Sequence, residues 1–230
     1  MNQLREELSS VVDELCYLAS VSFDPAGEIS LNPIRVLRDL AMVYPFFAAS
    51  KYDRVSTDFL VRHLRKGYSK ENVNLSEYQI FHDLQKQNSM YGRKSEKWFD
   101  SSFGFDLYFG EETIAVIGFE FVDSYIPYVT QIQGVQGRKQ ELNPFRWETM
   151  LLRTVVNWSA QHGLKEVRTR PAEFNHWARD RRMKMDQAKR FYDATPRMCG
   201  FRKVDVPEEK IRNGTTYYYS FAIDAKSEQS

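Results

Sequence analysis

The stretch Tyr128-Val-Thr-Gln-Ile-Gln-Gly-Val-Gln-Gly-Arg138 decides the fold of this chain. Its first half alternates aromatic or β-branched residues with polar ones, which predicts a strand over residues 128–133. Gly134 and Gly137 then interrupt the alternation, and glycine suits both turns and close backbone approaches. We therefore expect a strand that ends in a glycine-containing loop.

A helix and a second strand follow this loop. Apolar residues recur at helical spacing from Trp147 onward, with Asn143 and Pro144 suited to be the N-cap and first residue and Gly163 a stop signal. The run over residues 165–172 then predicts a short strand. Strand, helix and strand together predict a parallel unit, and such units are almost always right-handed.

Two interpretations of the loop over residues 134–138 stay open. Loops and helix N-termini at the carboxyl ends of parallel strands present backbone N–H groups, and the helix dipole favours an anion there. On that view the loop is a phosphate cradle. It is equally well explained as a simple turn in which two glycines adopt positive φ.

The remaining pattern changes from helical to strand-like near residue 100. Apolar stripes at helical spacing predict helices near residues 4–18, 33–47, 56–67 and 76–84. Alternating runs predict strands over residues 103–109, 113–122, 202–206 and 215–223. Between the second parallel strand and Gly200-Phe201, residues 173–198 predict one long charged helix. Three antiparallel strands therefore lead into the parallel unit.

Composition excludes several classes of protein. The 230 residues carry 32 basic and 31 acidic side chains, so no overall charge favours nucleic acid, and acidic residues interrupt the basic run over 179–190. Nothing in the sequence predicts a membrane span or a signal peptide. Cys16 and Cys199 have no metal-ligand spacing, which fits a reducing compartment and predicts no metal. We expect a cytoplasmic protein with no nucleic-acid or membrane partner.

This order of elements resembles that of the GNAT superfamily of N-acetyltransferases, from about residue 100 onward. The shared features are three antiparallel strands, a strand-loop-helix-strand unit, a helix ending in Gly-Phe and a terminal hairpin. The resemblance implies an α/β (α+β) fold with a mixed, mostly antiparallel sheet flanked by helices. We expect a helical N-terminal region over residues 1–98, a GNAT-like domain over 99–223 and a polar tail over 224–230.

The loop carries the first part of the resemblance. In that family a Gln/Arg-x-x-Gly-x-Gly/Ala signature holds the pyrophosphate of acetyl-CoA through backbone amides. Gln131 and Gly134 match its first two anchors, Gln136 stands where Gly or Ala is usual, and Gly137 follows one place late. The resemblance implies that acetyl-CoA or a related acyl-CoA contacts Gln131, Ile132, Gln133, Gly134, Val135, Gln136, Gly137 and Arg138.

The last long helix carries the second part. Family members have a tyrosine there, shortly before Gly-Phe, that protonates the leaving thiolate. Ala188-Lys-Arg-Phe-Tyr192 is similar to that segment, although Gly200-Phe201 comes one helical turn later than usual. The resemblance implies that Tyr192 is the catalytic acid, and a packing role for Tyr192 remains the alternative.

Acyl transfer to an amine also needs a base and contacts to the acceptor. Glu120, in the middle of a predicted strand, is the candidate base, and an exposed strand carboxylate is the alternative. Asn175 and His176 follow the second parallel strand and are candidates for contacting the substrate. Asn175 fits the role of a helix cap equally well.

Two hypotheses about function follow. The first is a GNAT-like acyltransferase that moves an acetyl or other acyl group from acyl-CoA to an amine, whose identity as a small molecule or protein the sequence leaves open. The second is a catalytically inactive GNAT-fold protein that binds a partner. A homodimer through the tyrosine-rich strand over residues 215–223 is a further option.

Overall fold

The computed structural model describes residues 42, 44–46, 50–84, 101–122, 125–180, 183–208 and 214–223. The chain divides into two compact units, Met1–Ser50 and Lys51–Ser230, and the sheet lies in the second. The helix predicted over 4–18, most of the helix predicted over 33–47 and the predicted tail over 224–230 lie outside the described residues.

Within the described residues, seven strands form one sheet in the order β1-β2-β3-β4-β5-β7-β6. The pairing is antiparallel throughout except between β4 and β5, which are parallel. The predicted mixed, mostly antiparallel sheet is confirmed. The strands are β1 Tyr78–Leu84, β2 Phe103–Phe109, β3 Glu112–Val122, β4 Ile126–Gly134, β5 Glu166–Thr169, β6 Arg202–Asp205 and β7 Tyr217–Ala222.

The helices flank this sheet. They are α1 Thr57–Arg62, α2 Lys139–Leu142, α3 Trp147–Gln161, α4 His176–Arg179, α5 Met185–Lys189 and α6 Thr195–Met198. A π-helical turn, Arg190–Ala194, joins α5 to α6. The Ser56 side chain caps α1 by accepting a hydrogen bond from the Phe59 amide, 3.1 Å away, and so satisfies one of the N–H groups that have no partner within the helix.

The core lies between the sheet and α3. Trp158 of α3 is fully buried, and its ring lies 5.6 Å from that of Phe119 and 6.2 Å from those of Phe105 and Phe121. Aromatic residues bury large apolar areas, so this cluster fixes α3 against β2 and β3. Gly163, with φ of 68°, follows the helix as predicted.

The start of α3 differs from the prediction, because α3 begins at Trp147 rather than at Pro144. The preceding residues form backbone hydrogen bonds with the segment after α1: the Arg65 amide donates to the Pro144 carbonyl and the Arg146 amide donates to the His63 carbonyl. These bonds hold the chain extended next to that segment. Asn143 consequently ends α2 instead of capping α3.

The helix predicted over residues 76–84 is wrong, because this segment is strand β1. Tyr78 and Ile80 are buried whereas Gln79 and Phe81 are partly exposed, and the strand pairs along its length with β2. The predicted boundary between residues 98 and 99 therefore separates two strands of one sheet, and the second compact unit begins at Lys51.

The single long helix predicted over residues 173–198 is also wrong. A 3₁₀ turn, Ala172–Phe174, is followed by α4 and then, from Met185, by a helix that contains the π-helical turn. Pro196 has no N–H and its ring is incompatible with an ordinary i−4 bond. In the π-helical turn the Thr195 amide instead donates to the Arg190 carbonyl, five residues earlier.

Candidate active site

The sheet opens where β4 leaves β5. The two strands pair at Tyr128↔Arg168 and Val129↔Thr169, where β5 ends, whereas β4 continues to Gly134. In the pairing with β3 the register shifts, and Thr130 is the extra residue on β4. Because the pairing with β5 ends next to this bulge, the backbone groups of β4 beyond Val129 have no strand partner on the β5 side.

Two of the predicted site residues satisfy those groups. The side-chain amide of Asn175 donates to the Thr130 carbonyl at 3.2 Å, and the Ile132 amide donates to the Tyr192 hydroxyl at 3.0 Å. Asn175 and Tyr192 lie on different helical segments, yet they meet neighbouring positions of β4. The structure thus brings together Asn175, Tyr192 and the end of β4.

Tyr192 is buried, with 1% of its surface exposed, and its position depends on the π-helical turn. A hydroxyl can accept and donate hydrogen bonds at the same time, and this one accepts from the Ile132 amide. Tyr192 therefore combines an acid group with a fixed position next to a backbone N–H.

Asn175 also caps a helix. Its Oδ1 accepts a hydrogen bond from the Trp177 amide at 3.0 Å, at the start of α4, and its surface is fully buried. The capping alternative is therefore confirmed. His176, the first residue of α4, is exposed, and its ring lies 5.3 Å from that of Trp177.

The predicted cofactor loop begins inside the sheet. Gln131 and Ile132 are buried strand residues, and the Gln131 side-chain amide donates to the Gln133 side chain at 2.8 Å. An added Cβ on Gly134 would lie 3.1 Å from Leu142 and 3.4 Å from the Trp147 ring. Gly134 therefore allows α2 and α3 to pack closely against β4, and substitution there would disturb packing.

The exposed part of the loop is a turn. The Val135 amide donates to the Ile114 carbonyl and the Arg138 amide to the Val135 carbonyl, with Gly137 at φ of 87° between them. This positive φ is one that glycine adopts without strain. Gln136 and Gly137 are the exposed residues of this turn, and Arg138 forms ion pairs with Glu112 and Glu141.

The amino end of α3 already holds a carboxylate. Glu148 lies in the first turn, is 4% exposed, and forms ion pairs with Arg190 and, at 3.9 Å, with Arg65. A carboxylate near a helix N-terminus is stabilised by the dipole. Since α2 and an extended segment separate the loop from α3, the loop amides do not continue into the start of α3. The fit to a pyrophosphate is therefore confined to the backbone of Gln136 and Gly137, because the amides of Val135 and Arg138 already donate to backbone carbonyls.

Glu120 lies on the opposite face of the sheet from α3. Phe119 and Phe121 on either side of it contact Trp158, and successive strand residues point to opposite faces. Glu120 accepts a hydrogen bond from the Ser102 amide at 2.6 Å and is partly buried, so it is not a freely exposed strand carboxylate.

The surroundings of Glu120 have opposing effects on its pKa. Burial raises the pKa of this carboxyl above its ordinary value, whereas hydrogen bonds from the Ser102 hydroxyl and amide and the charge of Arg170 oppose the rise. Tyr128 pairs with Glu120 across the strands, and the Arg170 guanidinium lies 5.5 Å from the centre of its ring. Burial likewise raises the pKa of Tyr128.

Glu120 and Tyr192 are not adjacent. Glu120 pairs with Tyr128, whereas the Tyr192 hydroxyl accepts a hydrogen bond from the Ile132 amide. Along β4, Tyr128 and Ile132 are about 13 Å apart. A base and an acid acting on one acyl transfer must each reach atoms joined to the same carbonyl carbon, directly or through one water. Glu120 therefore makes no direct contact with a centre that the Tyr192 hydroxyl would serve.

Sequence reasoning did not find Glu148, Arg65 or Arg170 as part of this region. Glu148 follows Trp147 in a helix start, where an acidic residue is common, so the sequence offers no sign that it is buried. Arg65 comes from a segment distant in sequence. Arg170 comes directly after the second parallel strand, where nothing in the sequence indicates its contact with Tyr128.

Two further observations bear on the predictions of binding partners. Across the described ranges, no three side chains of His, Cys, Asp or Glu come together as a metal site would require. Within the same part of the chain, no helix has the length and apolar content needed to cross a membrane.

No protein-family model and no curated protein matches this sequence. Among solved structures, the chain is similar to an N-acetyltransferase from Staphylococcus aureus Mu50, with 17% identity, 54% of this chain and 67% of that chain covered, and a TM-score of 0.32. It is also similar to RimL, a ribosomal-protein acetyltransferase in complex with coenzyme A. The identity is 13%, the match covers 84% of this chain and 89% of that chain, and the TM-score is 0.32. A third similar structure is that of a protein of unknown function from Aquifex aeolicus VF5. The identity is 18%, the match covers 76% of this chain and 83% of that chain, and the TM-score is 0.26. At these identities and TM-scores, no residue role transfers from those proteins to this chain.

Proposed function

We propose that this protein is an acyltransferase of the GNAT kind, which moves an acyl group from acyl-CoA to an amine. The observation that carries the proposal is the meeting of Tyr192 and Asn175 on β4 at the point where β4 leaves β5. A buried acid group beside a strand end opened by a bulge suits a reaction in which a thiolate leaves and must be protonated.

In this reaction the acceptor nitrogen attacks the thioester carbonyl carbon, the carbon–sulfur bond breaks, and the amine loses a proton. Tyr192 donates its hydroxyl proton to the departing sulfur. Glu120 takes up the proton of the amine through an intervening water, since it lies too far from Tyr192 to act directly. Exchange with solvent then restores both groups.

The acyl-CoA in this proposal contacts the end of β4 and the turn after it, over residues 131–138. Gln136 and Gly137 are exposed, so their backbone can approach a phosphate, and an added Cβ on Gly137 would meet nothing within 4 Å. Asn175 orders the strand end beside the acceptor, and exposed His176 contacts the acceptor amine. We place the reaction in the cytoplasm, in keeping with the unpaired, buried thiol of Cys199.

One observation favours a second function. Glu148 fills the amino end of α3 with a negative charge of the protein itself, and two arginines bind that charge. An anionic cofactor would therefore meet a carboxylate at a helix start that otherwise attracts phosphate. This arrangement favours a protein that keeps the fold but binds a partner instead of acyl-CoA.

Calorimetric titration with acetyl-CoA and with CoA separates the two functions. We expect saturable binding of both by the native protein and at least about tenfold weaker binding by Gly137→Asp, because the new carboxylate repels phosphate at the turn. Gly163→Asp is the matched control, since Gly163 is also exposed, has positive φ and has no atom within 4 Å of an added Cβ. Absence of binding by the native protein would reject acyl transfer and leave partner binding.

A further inference from the structure

A second candidate ligand site lies beside α1, away from the residues of the opened sheet. A cavity of about 600 Å³ is bounded by α1, by the turn that follows it, and by Arg146 just before α3. Its volume falls within the roughly 300–1,000 Å³ typical of small-molecule sites, and it is an open surface groove whose lining is mostly exposed. The described residues that line it are Thr57, Asp58, Val61, Leu64, Arg65, Lys66, Tyr68, Ser69, Lys70, Glu71 and Arg146.

Positive charge dominates this lining. Four basic side chains, Arg65, Lys66, Lys70 and Arg146, face two acidic ones, Asp58 and Glu71. Charges of one sign gathered in a concave site raise the local concentration of ligands of the other sign. The lining therefore favours an anion, and four separate cations suit more than one phosphate group.

Arg65 is held in place rather than loosely exposed. Its Nε donates to the Phe145 carbonyl at 2.6 Å, and its backbone amide donates to the Pro144 carbonyl at 2.8 Å. One outer nitrogen of this guanidinium lies 3.9 Å from the Glu148 carboxylate, so Arg65 offers a phosphate the N–H groups that this ion pair and the Nε bond do not use. Neighbouring His63 has its pKa lowered, first by burial and then by the charges of Arg62, Arg153 and Arg146, so the same region already repels added positive charge.

The cavity also offers an apolar and aromatic surface. Val61 and Leu64 line it, and Tyr68 beside them is 41% exposed. Gly67, with φ of 96°, lets the chain turn so that the Tyr68 amide bonds back to the Arg65 carbonyl. An exposed tyrosine next to a cluster of cations is a surface on which a base stacks while its phosphates bind the cations.

We infer that this cavity binds a nucleoside diphosphate or the equivalent part of a larger molecule, with the phosphates on Arg65, Lys66, Lys70 and Arg146 and the base against Tyr68. This goes beyond acyl transfer, because it uses none of the residues assigned to that reaction. The ligand is a free nucleotide or the nucleotide end of a molecule other than acyl-CoA, because the pyrophosphate of acyl-CoA is assigned above to the turn after β4.

The test is calorimetric titration of the full chain with ADP and, separately, with inorganic pyrophosphate. We expect saturable binding of both, and at least about tenfold weaker binding of both by the double variant Lys66→Glu, Lys70→Glu. Tyr68→Ala should weaken the binding of ADP about fivefold or more and leave the binding of pyrophosphate unchanged. These side chains are exposed, so the substitutions leave the core intact.

The matched control is the double variant Lys165→Glu, Lys203→Glu, which makes the same change of charge at exposed positions on β6 and before β5. Equal loss of binding in both double variants would overturn the site, as would no saturable binding of ADP by the native protein. Loss of both ligands in Tyr68→Ala would overturn the stacking arrangement. Undiminished ADP binding in the presence of CoA is expected, whereas displacement of ADP by CoA would overturn a site separate from that of acyl-CoA.

Discussion

At the scale of single residues, the hydroxyl of Tyr192 is the group on which the proposed chemistry depends. Tyr192→Phe removes the acid and also leaves the buried Ile132 amide without its acceptor. We expect acyl transfer to fall by about 100-fold or more and the free energy of unfolding to fall by about 1–3 kcal/mol. Steady-state kinetics and urea denaturation measure the two effects.

Tyr52→Phe is the control for this substitution. Tyr52 is 6% exposed and its hydroxyl donates to the Gln161 side chain at 3.0 Å, outside the opened sheet. We expect a loss of stability of about 1 kcal/mol and unchanged kinetics. If both variants lost activity equally, Tyr192 would be a packing residue and its catalytic role would be rejected.

Glu120 gives a prediction about pH. Its pKa is raised in the folded protein, so the folded state holds the proton more tightly than the unfolded chain does. The stabilisation is complete below the ordinary pKa of a glutamate, about 4.3, and is lost as pH rises through the folded pKa. Glu120→Gln keeps the neutral form at every pH, so this part of the pH dependence should disappear.

The measurement is the free energy of unfolding of native protein and Glu120→Gln by urea denaturation between about pH 3.5 and about pH 8. We expect the difference between them to shift in favour of the variant as pH rises, and then to level off. A difference that stayed constant across this range would show that burial does not raise the pKa of Glu120.

The sequence located part of this site because some of its signals are local. Tyr192 follows Ala188 at the spacing that singled it out, whereas its contact with the Ile132 amide of β4 joins positions 60 residues apart that the sequence did not connect. Glu148 was missed because its burial and its ion pair with Arg190 depend on two segments 42 residues apart. Neither propensity nor spacing along the chain carries that information.

At the scale of elements, the π-helical turn sets the position of Tyr192. Pro196 cannot donate a backbone hydrogen bond, and the turn before it allows Thr195 to bond five residues back. Pro196→Ala restores a donor and permits an ordinary helix, in which each residue is displaced around the axis. We expect Tyr192 to leave the Ile132 amide.

Hydrogen exchange at the Ile132 amide measures this displacement directly. We expect exchange about fivefold faster or more in Pro196→Ala, since a bond worth about 1 kcal/mol is lost, with acyl transfer reduced alongside it. Val129 lies on the same strand, between Phe119 of β3 and Thr169 of β5, and its amide is the internal control that should exchange as before. Unchanged exchange at Ile132 would mean that the turn persists without the proline.

The elements that the sequence predicted correctly are those with the clearest local periods. Strands β2, β3 and β4 alternate over their length, and α3 has a long apolar stripe. Strand β1 was mistaken for a helix because Ile80, Phe81 and Leu84 also fit helical spacing over a short run. The segment forms a strand because it pairs with β2, which begins nearly twenty residues later. A short apolar run cannot reveal such pairing.

At the scale of the whole molecule, the place of β1 decides where the folded unit begins. Tyr78 and Ile80 are buried, and β1 covers one edge of β2. A chain that starts after residue 98 would lose this strand and expose the backbone groups of β2 at a new sheet edge. The unit Lys51–Ser230 keeps all seven described strands.

We therefore expect a fragment over residues 51–230 to unfold in one cooperative transition and a fragment over residues 99–230 to lack it. Removing β1 takes two large buried side chains out of the core, and each such loss costs about 2–5 kcal/mol, comparable in sum to the 5–15 kcal/mol that stabilises a typical domain. Urea denaturation followed by tryptophan fluorescence measures this, because Trp147 and Trp158 lie in the core. Cooperative unfolding of the shorter fragment with native stability would mean that β1 is dispensable and would restore a boundary near residue 98.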